Sequence, residues 1–178
     1  MATLATVAAL VTTAEGVWAR ATSTFSDPPR ITRTSIGDVR LGEQKYVVEH
    51  QYGRVALRNF TARYRVHSGD LSVYYDDSGS SKIRVVGVST TSTYYRGNNF
   101  GVEDHVPLGP CHRVRVKVAV KAQVGCRYYW HGFTHDSRQI QKPFLDGWYR
   151  LSPGGHWPMT ILYTTRGVVT SIYVGFPL

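Results

Sequence analysis

The chain has 178 residues, with 21 Lys+Arg against 12 Asp+Glu and a formal charge of +9. At 42% hydrophobic residues it can bury a core, which excludes global disorder, and its length suits one domain. No run approaches the ~18 uninterrupted apolar residues of a usual membrane-spanning helix. Two cysteines exclude a disulfide-dense scaffold and a multi-cysteine zinc site.

Residues 1–29 read as an amphipathic helix and a proline linker. Leu4, Val7, Val11, Ala14 and Trp18 are spaced three and four apart, which places them on one helical stripe. Threonines, Glu15 and Arg20 occupy the other faces, and Asp27-Pro28-Pro29 ends the helix because proline cannot donate and restricts the residue before it. The apolar stretch Leu4 to Val11 has the outline of a signal peptide. No Lys or Arg precedes it and Glu15 and Arg20 follow, so the segment is expected to be retained.

Residues 30–178 change to a period of two. Val, Ile, Thr and Tyr dominate, with glycine-containing breaks at short intervals. Strands are expected near residues 31–36, 45–50, 55–66, 71–75, 82–93, 112–124, 128–134, 148–151, 160–163 and 168–174. No strand-helix-strand unit is visible, so the expected fold is all-β: an antiparallel β-sandwich of about 8–10 strands behind one N-terminal helix.

The clearest pattern is His112 to Lys121. Read as one strand, it places Val114, Val116, Val118 and Val120 on a core face and Arg113, Arg115, Lys117 and Lys121 on an outward cationic face. That face is either a solvated guard against edge pairing or a site for an anion. Arg63 and Arg65 repeat the theme on another strand, with Arg58 on its opposite face. Cys111 and Cys126 flank the segment at a separation no disulfide spans, so two free thiols are expected. Asn59-Phe60-Thr61 is a glycosylation sequon of the kind that occurs by chance.

Twelve tyrosines include three adjacent pairs, Tyr74-Tyr75, Tyr94-Tyr95 and Tyr128-Tyr129, the last followed by Trp130. Neighbours on a strand point to opposite faces, so each pair should send one ring inward and one outward. Trp148, Tyr149 and Trp157 flank a Ser-Pro-Gly-Gly loop. Outward Tyr and Trp suit membrane interfaces, sugars and choline. His131 and His135 would share a metal on a helix, but on a strand they stand ~13 Å apart. There is no phosphate loop, nucleophile elbow or dinucleotide fingerprint. No enzyme activity, cofactor or metal is expected.

An amphipathic helix ahead of a basic, Tyr- and Trp-rich β-sandwich resembles the actinoporins, pore-forming cytolysins of similar length and basic charge. The stretch Arg127-Tyr128-Tyr129-Trp130-His131 is similar to that family's aromatic docking region. The resemblance covers the whole layout. It implies a secreted protein that docks on choline or anionic headgroups, inserts its N-terminal helix and forms a homo-oligomer. His105-Val106-Pro107-Leu108-Gly109 and the valines after it look like a passage of aerolysin-like toxins. Two alternatives fit the same residues. One is a small viral coat protein with a jelly-roll fold, enclosing nucleic acid in a virion. The other is a lectin-like module that stacks its aromatics on a glycan.

Overall fold

The computed structural model describes residues 29–76, 82–106, 110, 112–118, 121–137, 147–151 and 158–176. The stripe Leu4, Val7, Val11, Ala14 and Trp18, and the helix expected to carry it, lie outside these, as does Trp157.

The described fold is predominantly antiparallel β. A small ribbon comes first: β1 (Ser35–Ile36) pairs with β2 (Val39–Arg40) across a turn in which Gly37 takes φ 58°, a conformation that favours glycine. One helix follows, α1 (Lys45–Tyr52). The remaining strands are β3 (Thr61–Val66), β4 (Gly69–Tyr75), β5 (Val85–Thr90), β6 (His112–Val118), β7 (Lys121–Trp130), β8 (Phe133–Ser137), β9 (Gly147–Leu151), β10 (Met159–Thr165) and β11 (Val168–Gly175). They form one nine-stranded sheet in the order β3-β4-β5-β11-β10-β9-β8-β7-β6. Two meanders therefore meet, β3 to β5 and β6 to β11, and the pairing of β5 with β11 joins them.

One face of the sheet is the core face. Ala62, Tyr64, Leu71, Val73, Val88, Ile172, Val174, Leu162, Tyr149 and Phe133 are buried there. The ribbon and helix supply Ile36, Val39 and Val48 to the same core cluster. The ribbon is hydrogen-bonded to the start of β5, through Gly42 N–H to Val85 O at 2.8 Å and Val85 N–H to Glu43 O at 2.9 Å.

Four sequence expectations are corrected. Residues 45–50, expected as a strand, are helical. Lys45 and Glu49 form an i,i+4 pair at 2.5 Å, Val48 and Tyr52 fall on one side, and Gly53 at φ 87° stops the helix with its N–H on Glu49 O. The strand expected from Val55 starts at Thr61, because Asn59 and Phe60 take φ 48° and 57° in a turn closed by Arg58 and Thr61. Arg58 thus precedes β3 instead of lying on it. The strand expected over 128–134 is a hairpin, with His131 and Gly132 at φ 46° and 84° between β7 and β8.

The fourth correction concerns 112–124. The chain reverses between Val118 and Lys121, which stand opposite one another, so the four cations do not share a single strand. The reversal sets His112 opposite Arg127, and Cys126 is disulfide-bonded. The expectation of two free thiols therefore fails. It assumed an extended segment where the chain turns back.

Candidate binding face

The side of the sheet away from the core can be traced rung by rung, because residues directly opposite on antiparallel strands share a face. Tyr129 stands opposite Thr134, Thr134 opposite Arg150, Arg150 opposite Ile161, and Ile161 opposite Tyr173. The row continues through Ser89 and Ser72 to Arg63. It crosses eight strands, about 30 Å at the usual strand spacing. A second, shorter row lies beside it: His112 opposite Arg127, Arg127 opposite Asp136, and on the next strands Trp148 opposite Tyr163.

This outer face carries the exposed aromatics. Tyr129 is 50% exposed, Trp148 51% and Tyr163 43%. The His112 and Tyr129 rings meet edge to face with centroids 5.2 Å apart. Tyr173 lies on the same face but is buried. Tyr74 packs against its edge, and its hydroxyl donates to Phe176 O. A Cβ on Gly87 or on Gly175 would collide with that hydroxyl, so the glycines create the slot the ring occupies. Burial, with Tyr74 and Tyr163 nearby, pushes the Tyr173 hydroxyl up to about 12.

Arg127 and Asp136 form a two-point ion pair, Nε to Oδ1 at 2.6 Å and Nη2 to Oδ2 at 2.8 Å. Hydrogen bonding from Arg127 holds the Asp136 carboxyl below the usual carboxylate range, and the Asp136 hydrogen bond raises the guanidinium in turn. On the core side, His135 sits between Tyr128 and Tyr149, with ring centroids 6.5 Å and 4.8 Å away. Its Nδ1 is 2.8 Å from Trp148 O, while its Nε2 is buried without a partner.

The expected inward-outward alternation holds on the strands. Tyr75, Tyr128, Trp130 and Tyr149 are buried, whereas Tyr129 and Trp148 are exposed and Tyr74 is half-buried. Tyr95 is buried and Tyr94 half-buried, both in a connection and not in a strand, and Tyr94 packs on His67 at 4.2 Å. Tyr94 and Tyr95 thus belong to the body of the protein, not to this face.

The cations of β6 run against expectation. Arg113 stands opposite Cys126 and Arg115 opposite Val124, which puts both on the face that carries buried Cys126, Tyr128 and Trp130. Val114 stands opposite Gly125 and takes the outer face. Arg113 and Arg115 are nonetheless exposed, because burial on that face ends at Cys126 and Val124 is already 56% exposed. Lys117 pairs with Ala122, and Lys121 with Val118.

Tyr163, Asp136 and Arg150 were not singled out from the sequence. Each sits at an ordinary strand position, and the register of several strands is needed to bring them together. No protein-family model, no curated protein and no solved structure matches this chain.

Proposed function

We propose that this is a non-enzymatic, coat-like protein that binds single-stranded nucleic acid on the outer face of its large sheet. The observation that carries the reading is the set of half-exposed rings, Tyr129, Trp148 and Tyr163, with Arg127 and Arg150 on the same strands and Arg63 farther along the same face. Bases of any sequence stack on such rings, and arginines beside them take the phosphates. A formal charge of +9 supplies the counterion-release term that dominates non-specific affinity. The rings rise from interior strands of the sheet and are about half exposed, which leaves them open to stacking. The architecture proposed with this function is a β-sandwich, assembling as a homo-oligomer in a virion.

The membrane-docking cytolysin is the second reading, and the same three rings favour it, since Tyr and Trp anchor at headgroup depth. Its inserting helix would be residues 4–18. The glycan-binding module would use Trp148 as its stacking ring.

The test is fluorescence anisotropy of labelled single-stranded RNA and DNA over a salt series, run beside vesicle flotation and dye leakage. The expected result is single-strand binding whose logarithm falls linearly with log salt, with a slope of about −0.7 per phosphate neutralised. Dye leakage from choline or anionic vesicles without single-strand binding would overturn this reading in favour of the cytolysin.

A further inference from the structure

We propose that the opening between β8 and β9 is a base-reading pocket in which Asp136 selects bases that carry an exocyclic amino group, cytosine over uracil. The inference rests on the nucleic-acid reading above. The β8–β9 ladder has two rungs, Phe133 opposite Leu151 and Thr134 opposite Arg150. Beyond them the strands part, and in place of the next rung His135 Nδ1 lies 2.8 Å from Trp148 O. Thr134, His135, Asp136, Trp148 and Arg150 line a cleft of about 110 Å³ there. It has room for one planar ring against the exposed indole.

Asp136 is the feature that sets a preference. Among the described residues it is the one acid at the outward positions of strands β6 to β10. A carboxylate on a face that binds phosphates weakens that binding, so its place there calls for another use. Each of its oxygens accepts one hydrogen bond from Arg127. An ionised carboxylate oxygen has two acceptor sites, so each retains one on the side away from Arg127. The bond from Arg127 also keeps the carboxyl ionised, and hence acceptor-only, through neutral and mildly acidic pH. Cytosine offers its N4 amino group to such an acceptor, a recognised pairing for Asp and Glu. Uracil has an oxygen at the same position and meets the carboxylate with repulsion. Arg150, beside the ring, is placed to hold the phosphate of the same nucleotide.

The experiment compares anisotropy of oligocytidine and oligouridine, each about ten nucleotides long, at fixed salt. The full chain is expected to bind oligocytidine about tenfold more tightly. Asp136→Asn should abolish that preference with at most a small drop in melting temperature, since the ion pair it loses with Arg127 is exposed. Trp148→Ala should weaken both oligomers. Equal binding of the two by the full chain, or a preference that survives Asp136→Asn, overturns the pocket while single-strand binding stands. Binding of neither oligomer overturns the single-strand reading itself.

Discussion

Strands β3 and β6 form the two edges of the sheet, and both alternate arginine with apolar residues, yet they face opposite ways. On β3, Ala62 and Tyr64 are buried and Arg63 and Arg65 point away from the core. On β6 the arginines take the core side and Val114 the outer side. Alternation fixes which residues share a face. The partner strand fixes which face meets the core. For β3 that partner is β4, whose Leu71 and Val73 are fully buried. For β6 it is β7, where burial ends at Cys126, so arginines on the core side still reach water. Both edges carry cations, which discourages edge-to-edge pairing whichever way they point.

The largest effect should come from placing a charge at the inward apolar position of one edge and the outward apolar position of the other. Ala62→Arg buries an unpaired cation and is expected to cost more than about 4 kcal/mol in urea unfolding, enough to abolish folding in a marginal domain. Val114→Arg should cost about 1 kcal/mol or less. A large loss from Val114→Arg would mean that β6 packs as β3 does.

Alkaline titration separates the two halves less sharply. Burial raises the hydroxyls of Tyr52, Tyr64, Tyr75 and Tyr95 near the β3 edge, that of Tyr173 in the middle, and those of Tyr149 and Tyr163 on the other side, above the ordinary value. Above about pH 10 the unfolded chain loses those protons while the folded chain keeps them, so the unfolded state binds fewer and stability falls as pH rises. The stabilisation is complete below pH 10 and, for Tyr173, exhausted near about 12. Each such tyrosine should contribute a slope of about 1.4 kcal/mol per pH unit, measured by thermal melts. Replacing Tyr75 with Phe should lessen the slope.

The smallest and most specific effect concerns binding. Arg63 and Arg65 share the outer face with Tyr129 and Trp148, whereas Arg113 and Arg115 do not. Arg63→Ala with Arg65→Ala is expected to lower the salt slope of single-strand binding by about 0.7 for each phosphate that is no longer neutralised. The paired alanine variant of Arg113 and Arg115 should leave the slope unchanged. The reverse result would move the binding surface to the other face.

Much of this was legible in the sequence. The period of two identified an antiparallel β protein, and the paired aromatics told that one of two neighbouring rings on a strand would reach solvent. Failures arose where the chain turns without the usual signals. His131 takes a positive φ that glycine, Asn or Asp usually occupies. The turn between β6 and β7 hides inside a run of valines and cations that reads as one continuous strand. Helix α1 was missed because eight residues give too little pattern to separate the two periods. The outer face was half visible. Trp148 and Tyr129 stood out by type, but Tyr163, Arg150 and Asp136 join them through pairings that only the register of β7 to β10 supplies.

The last of the described strands lies in the middle of the sheet. β11 is the link between the two meanders, with β10 on one side and β5 on the other. A ribosome delivering these strands completes β3 to β5 and β6 to β10 before it supplies β11, which fastens them. Until β11 arrives, β5 and β10 each hold an open rung of backbone donors and acceptors, and either can pair with a neighbouring nascent chain. That interval is the window for strand exchange between chains, and the order of synthesis governs how long it lasts.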